Sequence, residues 1–269
     1  MRIALIGCGA IGRVIAEAIS SGVVDASLEC IYDLNTESTQ RLASSLEPRP
    51  RICQTFEDIL GSKADLVVEA ASQAAVKAYA EKVLGAGKSL MIMSVGALLE
   101  DELFRNLRAT AKKKKVKVYV PSGAVGGLDA LKSASIGKVY EVKLITTKHP
   151  RSLKGAPALE GLEGLDWDKK MVLYEGNARE AVKKFPANVN VSAAIALAGV
   201  GADKTTVKIV SDPGIKENIH EVYVRGDFGA CTFRFKNLPS PDNPRTSLLA
   251  ALSAIATLKR LSSSVEVGT

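Results

Sequence analysis

Short apolar runs alternate with segments of helical spacing along the first half of the chain. The runs at 2–6 and 64–72 are rich in strand-forming residues, and each is followed by a stretch with helical periodicity. The stretch 72–88 closes near glycines, and residues 100–115 begin with acids and end with lysines, which matches a helix dipole. Because repeated βα units favour a parallel sheet with helices on both faces, the pattern predicts an α/β domain over residues 1–121.

The pattern changes after residue 121. Strand-like runs with alternating apolar positions follow, joined by turns and interrupted by helical stretches. This spacing predicts a mainly antiparallel sheet with helices on one face, so that residues 122–245 form a separate α+β domain. The predicted strands cover 139–148, 171–176, 205–212, 218–226 and 230–237.

Three further segments complete the predicted organisation. Residues 155–168 are rich in glycine and turn signals, which predicts a mobile loop. The prolines within 238–244 are expected to exclude regular structure. A last helix is expected to begin near Thr246, and its apolar surface needs burial, so residues 246–269 are expected to pack back against the first domain.

A glycine motif follows the first predicted strand and opens the first predicted helix. Residues 7–12 read GCGAIG, the G-x-G-x-x-G pattern of dinucleotide-binding Rossmann domains. Its first glycine permits a tight turn, its second lets the backbone approach a pyrophosphate, and its third lets the helix pack close to the strand. The N–H groups at the helix start then face the phosphates. The predicted cofactor contacts are Gly7, Gly9, Ala10, Ile11 and Gly12.

A further apolar run, residues 27–33, ends in an acid suited to binding a ribose. Asp33 lies 21 residues beyond Gly12, close to the spacing at which a carboxylate binds the ribose hydroxyls of NAD. The same carboxylate would repel a 2′-phosphate, and the residues that follow it include no arginine that would attract one. The expected cofactor is therefore NAD, with NADP as the alternative.

Composition and charge narrow the classes of function. Hydrophobic residues make up 46% of the 269 residues and charged residues 24%, as in an ordinary globular protein, and no apolar run is long enough for a membrane span. The net charge is +7, but the lysine run at 112–117 ends a predicted helix, which favours a solvated helix end over nucleic-acid binding. The four cysteines lack metal-binding spacing, so we expect no metal and a reduced, cytoplasmic protein.

One of the two histidines lies in a strand-like alternation. In residues 216–226, KENIHEVYVRG, His220 shares a strand face with Val222 and Val224. Two interpretations are open on these neighbours alone: a half-buried structural histidine, or a ring that faces a reaction cleft. An imidazole can accept or return a proton near neutral pH, and apolar neighbours would lower its pKa unless an acid is near.

Several longer stretches resemble the L-aspartate dehydrogenase family. They span nearly the whole chain in order: GCGAIG, EAASQAAVKAYAEKVL, SGAVGGLDA, EGNAREAVKKFPANVNVSAA, ENIHEVYVRGDFG and NPRTSLLAALSAI. The resemblance implies a Rossmann domain joined to an α/β dimerisation domain in a homodimer. It implies oxidation of L-aspartate to iminoaspartate with NAD or NADP, as an entry to NAD biosynthesis. It also implies that His220 is the catalytic acid/base and that Ala124 and Asn190 contact the nicotinamide side of the cofactor.

The substrate implied by this resemblance carries two carboxylates, which cationic side chains would bind. The candidates are Lys148, His149 and Arg151, and the alternative for each is a solvated strand end. For Asn190 the alternative is a helix cap, and for the glycine-rich segment 122–127 it is a plain turn between domains.

Other functions compete with this interpretation. A different reductase on the same two-domain plan, such as a dihydrodipicolinate reductase or homoserine dehydrogenase, would share the fold, although no local motif favours either. A non-catalytic redox sensor that binds NAD(H) and presents a surface to a partner would not need His220. Oxidation of L-aspartate separates the first interpretation from all of these.

Overall fold

A computed structural model of the chain separates into two compact units. One unit comprises Met1–Pro121 together with Ala251–Glu266, and the other comprises Ser122–Ala250 with the residues from Val267 onward. Within the described part of the chain, no helix combines the length and the apolar character needed to cross a membrane. The structure describes residues 1–160, 164–186, 189–240 and 243–268.

The first unit alternates strands and helices, as its apolar pattern predicted. Its strands are β1 (Arg2–Ile6), β2 (Ser27–Tyr32), β3 (Arg51–Ile52), β4 (Leu66–Glu69), β5 (Ser89–Ile92) and β6 (Val118–Tyr119). Its helices within 1–121 are α1 (Ala10–Ser20), α2 (Thr36–Ser44), α3 (Phe56–Leu60), α4 (Gln73–Gly85) and α5 (Asp101–Lys114). The strands pair in parallel in the order β3-β2-β1-β4-β5-β6. This is the Rossmann arrangement, and the prediction is confirmed.

The strand order reverses between β1 and β4, which places a crevice at the carboxyl ends of these two strands. The loops that follow them are 7–9, which carries the glycine motif, and 70–72. Ser72 ends the second loop as a helix cap, accepting a hydrogen bond from the Ala75 N–H at 3.1 Å. The topology therefore brings two loops distant in sequence to one edge of the sheet.

The last helix, α9 (Leu248–Ser262), helps to fill the core of the first unit. Its buried residues Ala254 and Leu258 lie in one apolar cluster with Ile3 and Leu5 of β1. The predicted return of the C-terminal helix to the nucleotide-binding domain is therefore confirmed.

The second unit contains a five-stranded mixed sheet. Its strands are β7 (Val139–Lys148), β8 (Met171–Asn177), β9 (Thr205–Ser211), β10 (Asn218–Gly226) and β11 (Gly229–Asn237), and its helices include α6 (Leu128–Ala134), α7 (Ala178–Lys184) and α8 (Asn190–Ala198). The strand order is β11-β10-β7-β9-β8, and only the β7–β9 pair is parallel among these described strands. The predicted α+β unit with a mainly antiparallel sheet is confirmed.

One prediction near the end of this unit was wrong. Residues Pro239–Ser240 form β12, which pairs with β13 (Asn243–Ser247), so the prolines do not exclude regular structure. A two-stranded ribbon leaves each strand with an outer edge, where the missing proline N–H costs no ladder hydrogen bond. The last helix begins at Leu248, directly after β13 and within two residues of the predicted start near Thr246.

The glycine-rich segment 155–168 is described only in part. Residues Pro157–Leu159 form one turn of 3-10 helix, and 161–163 lie outside the described residues. A mobile loop at this position stays a prediction.

Candidate active site

The glycine loop after β1 requires glycine at two positions for packing reasons. Gly7 has a positive φ of 98°, and a Cβ there would lie 2.6 Å from the backbone of Ala70. A Cβ on Gly12 would lie 1.9 Å from the carbonyl oxygen of Gly7. A Cβ on Gly9, by contrast, would meet nothing within 4 Å. Gly7 and Gly12 therefore hold strand, loop and helix together, while Gly9 leaves the space over the start of α1 to a ligand.

Asp33 lies beside this loop at the end of β2. Its Oδ2 accepts a hydrogen bond from the Cys8 N–H at 2.7 Å, and its Oδ1 accepts one from the Asn35 N–H at 2.9 Å. These bonds fix the carboxylate while each oxygen keeps a further acceptor position. The arrangement fits the ribose diol of a dinucleotide next to the pyrophosphate loop.

A cavity of about 430 Å³ adjoins the glycine loop and Asp33. Two tyrosines, Tyr32 and Tyr79, line it, and their rings meet edge to face with centroids 6.3 Å apart. Tyr79 is also stacked on Phe56, with centroids 4.1 Å apart. The tyrosines were not predicted, because they carry no motif and only the fold brings α4 beside β2. Apolar and aromatic walls next to the acid that is predicted to bind a ribose fit an adenosine. The other lining residues are Ile6, Gly7, Gly9, Leu34, Ala70, Ala71, Ser72, Ala74, Ala75 and Ala78.

Sequence reasoning also missed Glu69, a buried carboxylate behind this crevice. It accepts hydrogen bonds from the N–H and Oγ of Ser94 at 3.0 and 2.8 Å and from the N–H of Ala71 at 2.8 Å. Burial raises its pKa, and these hydrogen bonds act in the opposite direction. Glu69 therefore ties the loop 70–72, which lines the cavity, to the loop that follows β5.

In the second unit, His220 lies on the buried face of β10. It is 2% exposed and alternates with the buried residues Val222 and Val224, as the sequence predicted. Its Nδ1 lies 3.0 Å from Oγ1 of Thr146, its register partner on β7. Burial, together with the charge of Lys148, lowers the pKa of His220 to about 3. The imidazole of the unliganded protein is therefore neutral at neutral pH.

Lys148 shares this buried face with His220. It lies two residues beyond Thr146 on β7, so both side chains project to the same side of the sheet. The lysine is 5% exposed, and burial lowers its pKa to about 8. At neutral pH the lysine is mainly protonated and the histidine is neutral. Two buried titratable groups with lowered pKa values on one face are typical of catalytic centres.

The two other predicted substrate cations lie elsewhere. His149 begins the 3-10 turn Pro150–Ser152, and its Nδ1 accepts a hydrogen bond from the Arg151 N–H at 3.2 Å. Among the described residues, no hydrogen bond or ion pair joins either side chain to His220. The structure therefore brings Lys148 to the histidine face, while roles for His149 and Arg151 in substrate binding stay predictions.

The glycine-rich segment 122–127 is fixed to the second sheet. The side-chain amide of Asn237 on β11 donates a hydrogen bond to the carbonyl oxygen of Ala124 at 2.7 Å. Gly127 has a φ of 73°, and a Cβ there would lie 2.8 Å from the ring of Phe233. The segment is therefore more than a plain linker. Asn190 is the first residue of α8, whose N-cap is Val189, so Asn190 does not cap that helix.

Comparisons with known proteins agree along the whole chain. The family model described as "Aspartate dehydrogenase, C-terminal" matches residues 129–261, and that described as "Homoserine dehydrogenase, NAD binding domain" matches residues 7–121. The L-aspartate dehydrogenases of Methanosarcina barkeri and Methanosarcina acetivorans are 45% and 47% identical to the chain, each over the full length of both sequences. The crystal structure of aspartate dehydrogenase from Thermotoga maritima superposes with a TM-score of 0.78 at 30% identity, covering 100% of this chain and 99% of that one.

Proposed function

This chain belongs to the aspartate dehydrogenase family, and on that premise we propose that it oxidises L-aspartate to iminoaspartate with a nicotinamide dinucleotide as hydride acceptor. One observation carries the proposal beyond family membership. His220 is buried beside Thr146 and Lys148, which joins a neutral imidazole to a cation that can hold a carboxylate.

Residues of the second unit have separate roles in amine oxidation. A bound nicotinamide dinucleotide would supply the acceptor for the hydride from Cα of the substrate. Nδ1 of His220 lies 3.0 Å from Oγ1 of Thr146. We assign the tautomer in which Nδ1–H donates to this hydroxyl oxygen, because it leaves the Nε2 lone pair to accept the proton that leaves the substrate nitrogen. In the reductive direction the protonated ring returns that proton.

The negative charge of the substrate raises the pKa of His220. Burial and the cation of Lys148 both disfavour the imidazolium in the free protein. A bound dicarboxylate next to Lys148 offsets that repulsion and raises the pKa of His220 toward neutrality, where proton transfer is most effective. The histidine therefore becomes an efficient base only with an anionic substrate in place.

The first unit supplies the cofactor-binding residues. The backbone at Gly9, Ala10 and Ile11 receives the pyrophosphate, with Gly7 and Gly12 shaping the turn, and Asp33 receives the adenosine ribose. On the nicotinamide side we assign Ala124 and Asn190 from the family resemblance. The carboxylate of Asp33 favours NAD over NADP.

We propose that the protein forms a homodimer through the outer face of its second sheet. The outer face of the second sheet carries half-buried Ile145 and Tyr223, flanked by cross-strand ion pairs of Arg234 with Glu221 at 3.2 Å and Arg225 with Glu141 at 3.7 Å. A second copy packed on this face would complete the family's homodimer. Cytoplasmic location and entry of the product into NAD biosynthesis stay predictions.

The proposed activity is tested by following NADH absorbance with NAD and single amino acids. We expect oxidation of L-aspartate with kcat/KM about 10- to 100-fold above that for L-alanine, because one lost charge-assisted interaction costs about 1.5–3 kcal/mol. Oxidation of L-homoserine but not L-aspartate would favour a homoserine dehydrogenase. NADH binding without oxidation of any of these amino acids would favour the redox sensor.

A variant of the ribose acid tests cofactor choice. We expect Asp33→Ala to weaken NAD binding by about 10- to 100-fold, since it removes a charged acceptor of two hydroxyl groups. NADP binding should weaken less, because the same change removes repulsion of the 2′-phosphate. Titration of protein fluorescence with each cofactor measures both, with the exposed Asp25→Ala as the matched control. Equal losses for NAD and NADP would contradict the ribose role.

A further inference from the structure

Ser211 is the last residue of β9 and is completely buried, at 0% exposure. Among the residues that the structure describes, its hydroxyl oxygen has no hydrogen-bond partner. A hydroxyl group loses its hydrogen bonds to water when it is buried. Buried hydroxyl groups therefore normally form a hydrogen bond to another protein group. Stability alone would therefore favour alanine at this position.

The hydroxyl of Ser211 lies among other buried polar side chains of the sheet. Its register partner on β7 is Lys148, so the two side chains project from the same face of the sheet. Asn218 on β10, two residues before His220, also lies on this face and is paired in register with Asn237 on β11. Four buried polar side chains thus form a row at one end of the sheet, and His220 lies next to it.

The asparagines of the row are already engaged by other protein groups. The side-chain amide of Asn218 donates to Oγ of Ser247 at 3.3 Å, and that of Asn237 donates to the carbonyl oxygen of Ala124 at 2.7 Å. The Ser211 hydroxyl has no such structural bond. It therefore remains available to a ligand that approaches the buried cation of Lys148, and such a ligand is an anion.

Resting on the proposed function, we propose that Ser211 donates a hydrogen bond to the side-chain carboxylate of L-aspartate and thereby helps to select a substrate with a second carboxylate. Ser211 and His220 are separated by β7 and offset by two residues along the strands. With strands about 4.8 Å apart and a rise of about 3.3 Å per residue, their backbones lie about 12 Å apart. His220 accepts a proton at the substrate nitrogen. A carboxylate held between Lys148 and Ser211 is therefore the one farther from the amine.

The variant Ser211→Ala tests this role. We expect KM for L-aspartate to rise about 10- to 100-fold, as on losing a hydrogen bond to a charged group, with kcat within about threefold of wild type. The thermal midpoint of unfolding should stay the same or rise, because no hydrogen bond of the free protein is lost. The control is Ser135→Ala, which removes a half-buried hydroxyl that bonds to the Leu131 carbonyl at 2.8 Å and should leave KM unchanged.

A binding measurement without turnover separates this inference from the proposed function. Succinate has both carboxylates but no amine, and propionate has only one. We expect calorimetry to show succinate binding more weakly to Ser211→Ala than to wild type by the same factor, with propionate binding unaltered. Failure of the wild type to oxidise L-aspartate would refute the proposed function, yet leave the succinate comparison intact. An active wild type with unchanged KM and succinate affinity in the variant, or a lowered unfolding midpoint, would overturn the role of Ser211 alone.

Discussion

Replacing His220 by alanine is expected to lower kcat for L-aspartate oxidation by about 100- to 10,000-fold, the usual contribution of a positioned acid/base. Among the residues described, no other imidazole lies on the buried face of β10. The variant therefore lacks a group that can accept the proton from the substrate nitrogen. The affinity for NADH should change little, since the glycine loop and Asp33 belong to the other unit. Steady-state kinetics together with NADH titration measures both quantities.

The matched control for this change is the chain's other histidine. His149→Ala should keep kcat within about threefold of wild type, and any part it takes in substrate binding would appear in KM instead. Undiminished turnover in His220→Ala would contradict the assignment of His220 as the acid/base. Equal losses of turnover in the two variants would show that removal of either ring disturbs the unit, rather than identifying the proton carrier.

Lys148→Met is expected to raise KM for L-aspartate by about 30- to 1,000-fold, the range for removing one partner of a buried charge pair. Methionine keeps the unbranched shape of the side chain and removes its charge. Burial lowers the pKa of Lys148 to about 8, so the ammonium is present below that pH and is lost above it. In the wild type, kcat/KM should therefore fall as pH rises through about 8, and this alkaline limb should be absent from Lys148→Met.

The control for Lys148 lies on the same strand. Lys143 projects from the opposite face of β7, where its ammonium lies 3.6 Å from the Glu175 carboxylate, so Lys143→Met should preserve KM and the pH profile. The charge of Lys148 also depresses the pKa of His220, and its removal should raise that pKa. Because the chain has two histidines, the titration of the His220 ring can be followed by NMR in a His149→Ala background. An unchanged alkaline limb in Lys148→Met would contradict the proposed binding role.

Features that depend on local spacing could be predicted from the order of the residues. The glycine motif and Asp33 follow a strand at the separation that a Rossmann unit needs, and the helix start after Gly9 fixes where phosphate would bind. Period-2 alternation placed His220 on one face with its valines, and that face is buried. The strand–turn–helix unit and the buried face of His220 are confirmed, because each depends on residues close together in sequence, whereas cofactor binding by the glycine loop and Asp33 stays a prediction.

The distant residues that share the candidate site could be recognised only from the folded chain. Thr146 meets His220, and Lys148 meets Ser211, through strand registers that span more than 60 residues of chain and therefore leave no local pattern. The unpaired hydroxyl of Ser211 is likewise visible only once every neighbour is placed. The period-2 pattern of a few residues shows which side chains share a strand face. The register of a strand and the identity of its neighbouring strand depend on packing across the whole sheet.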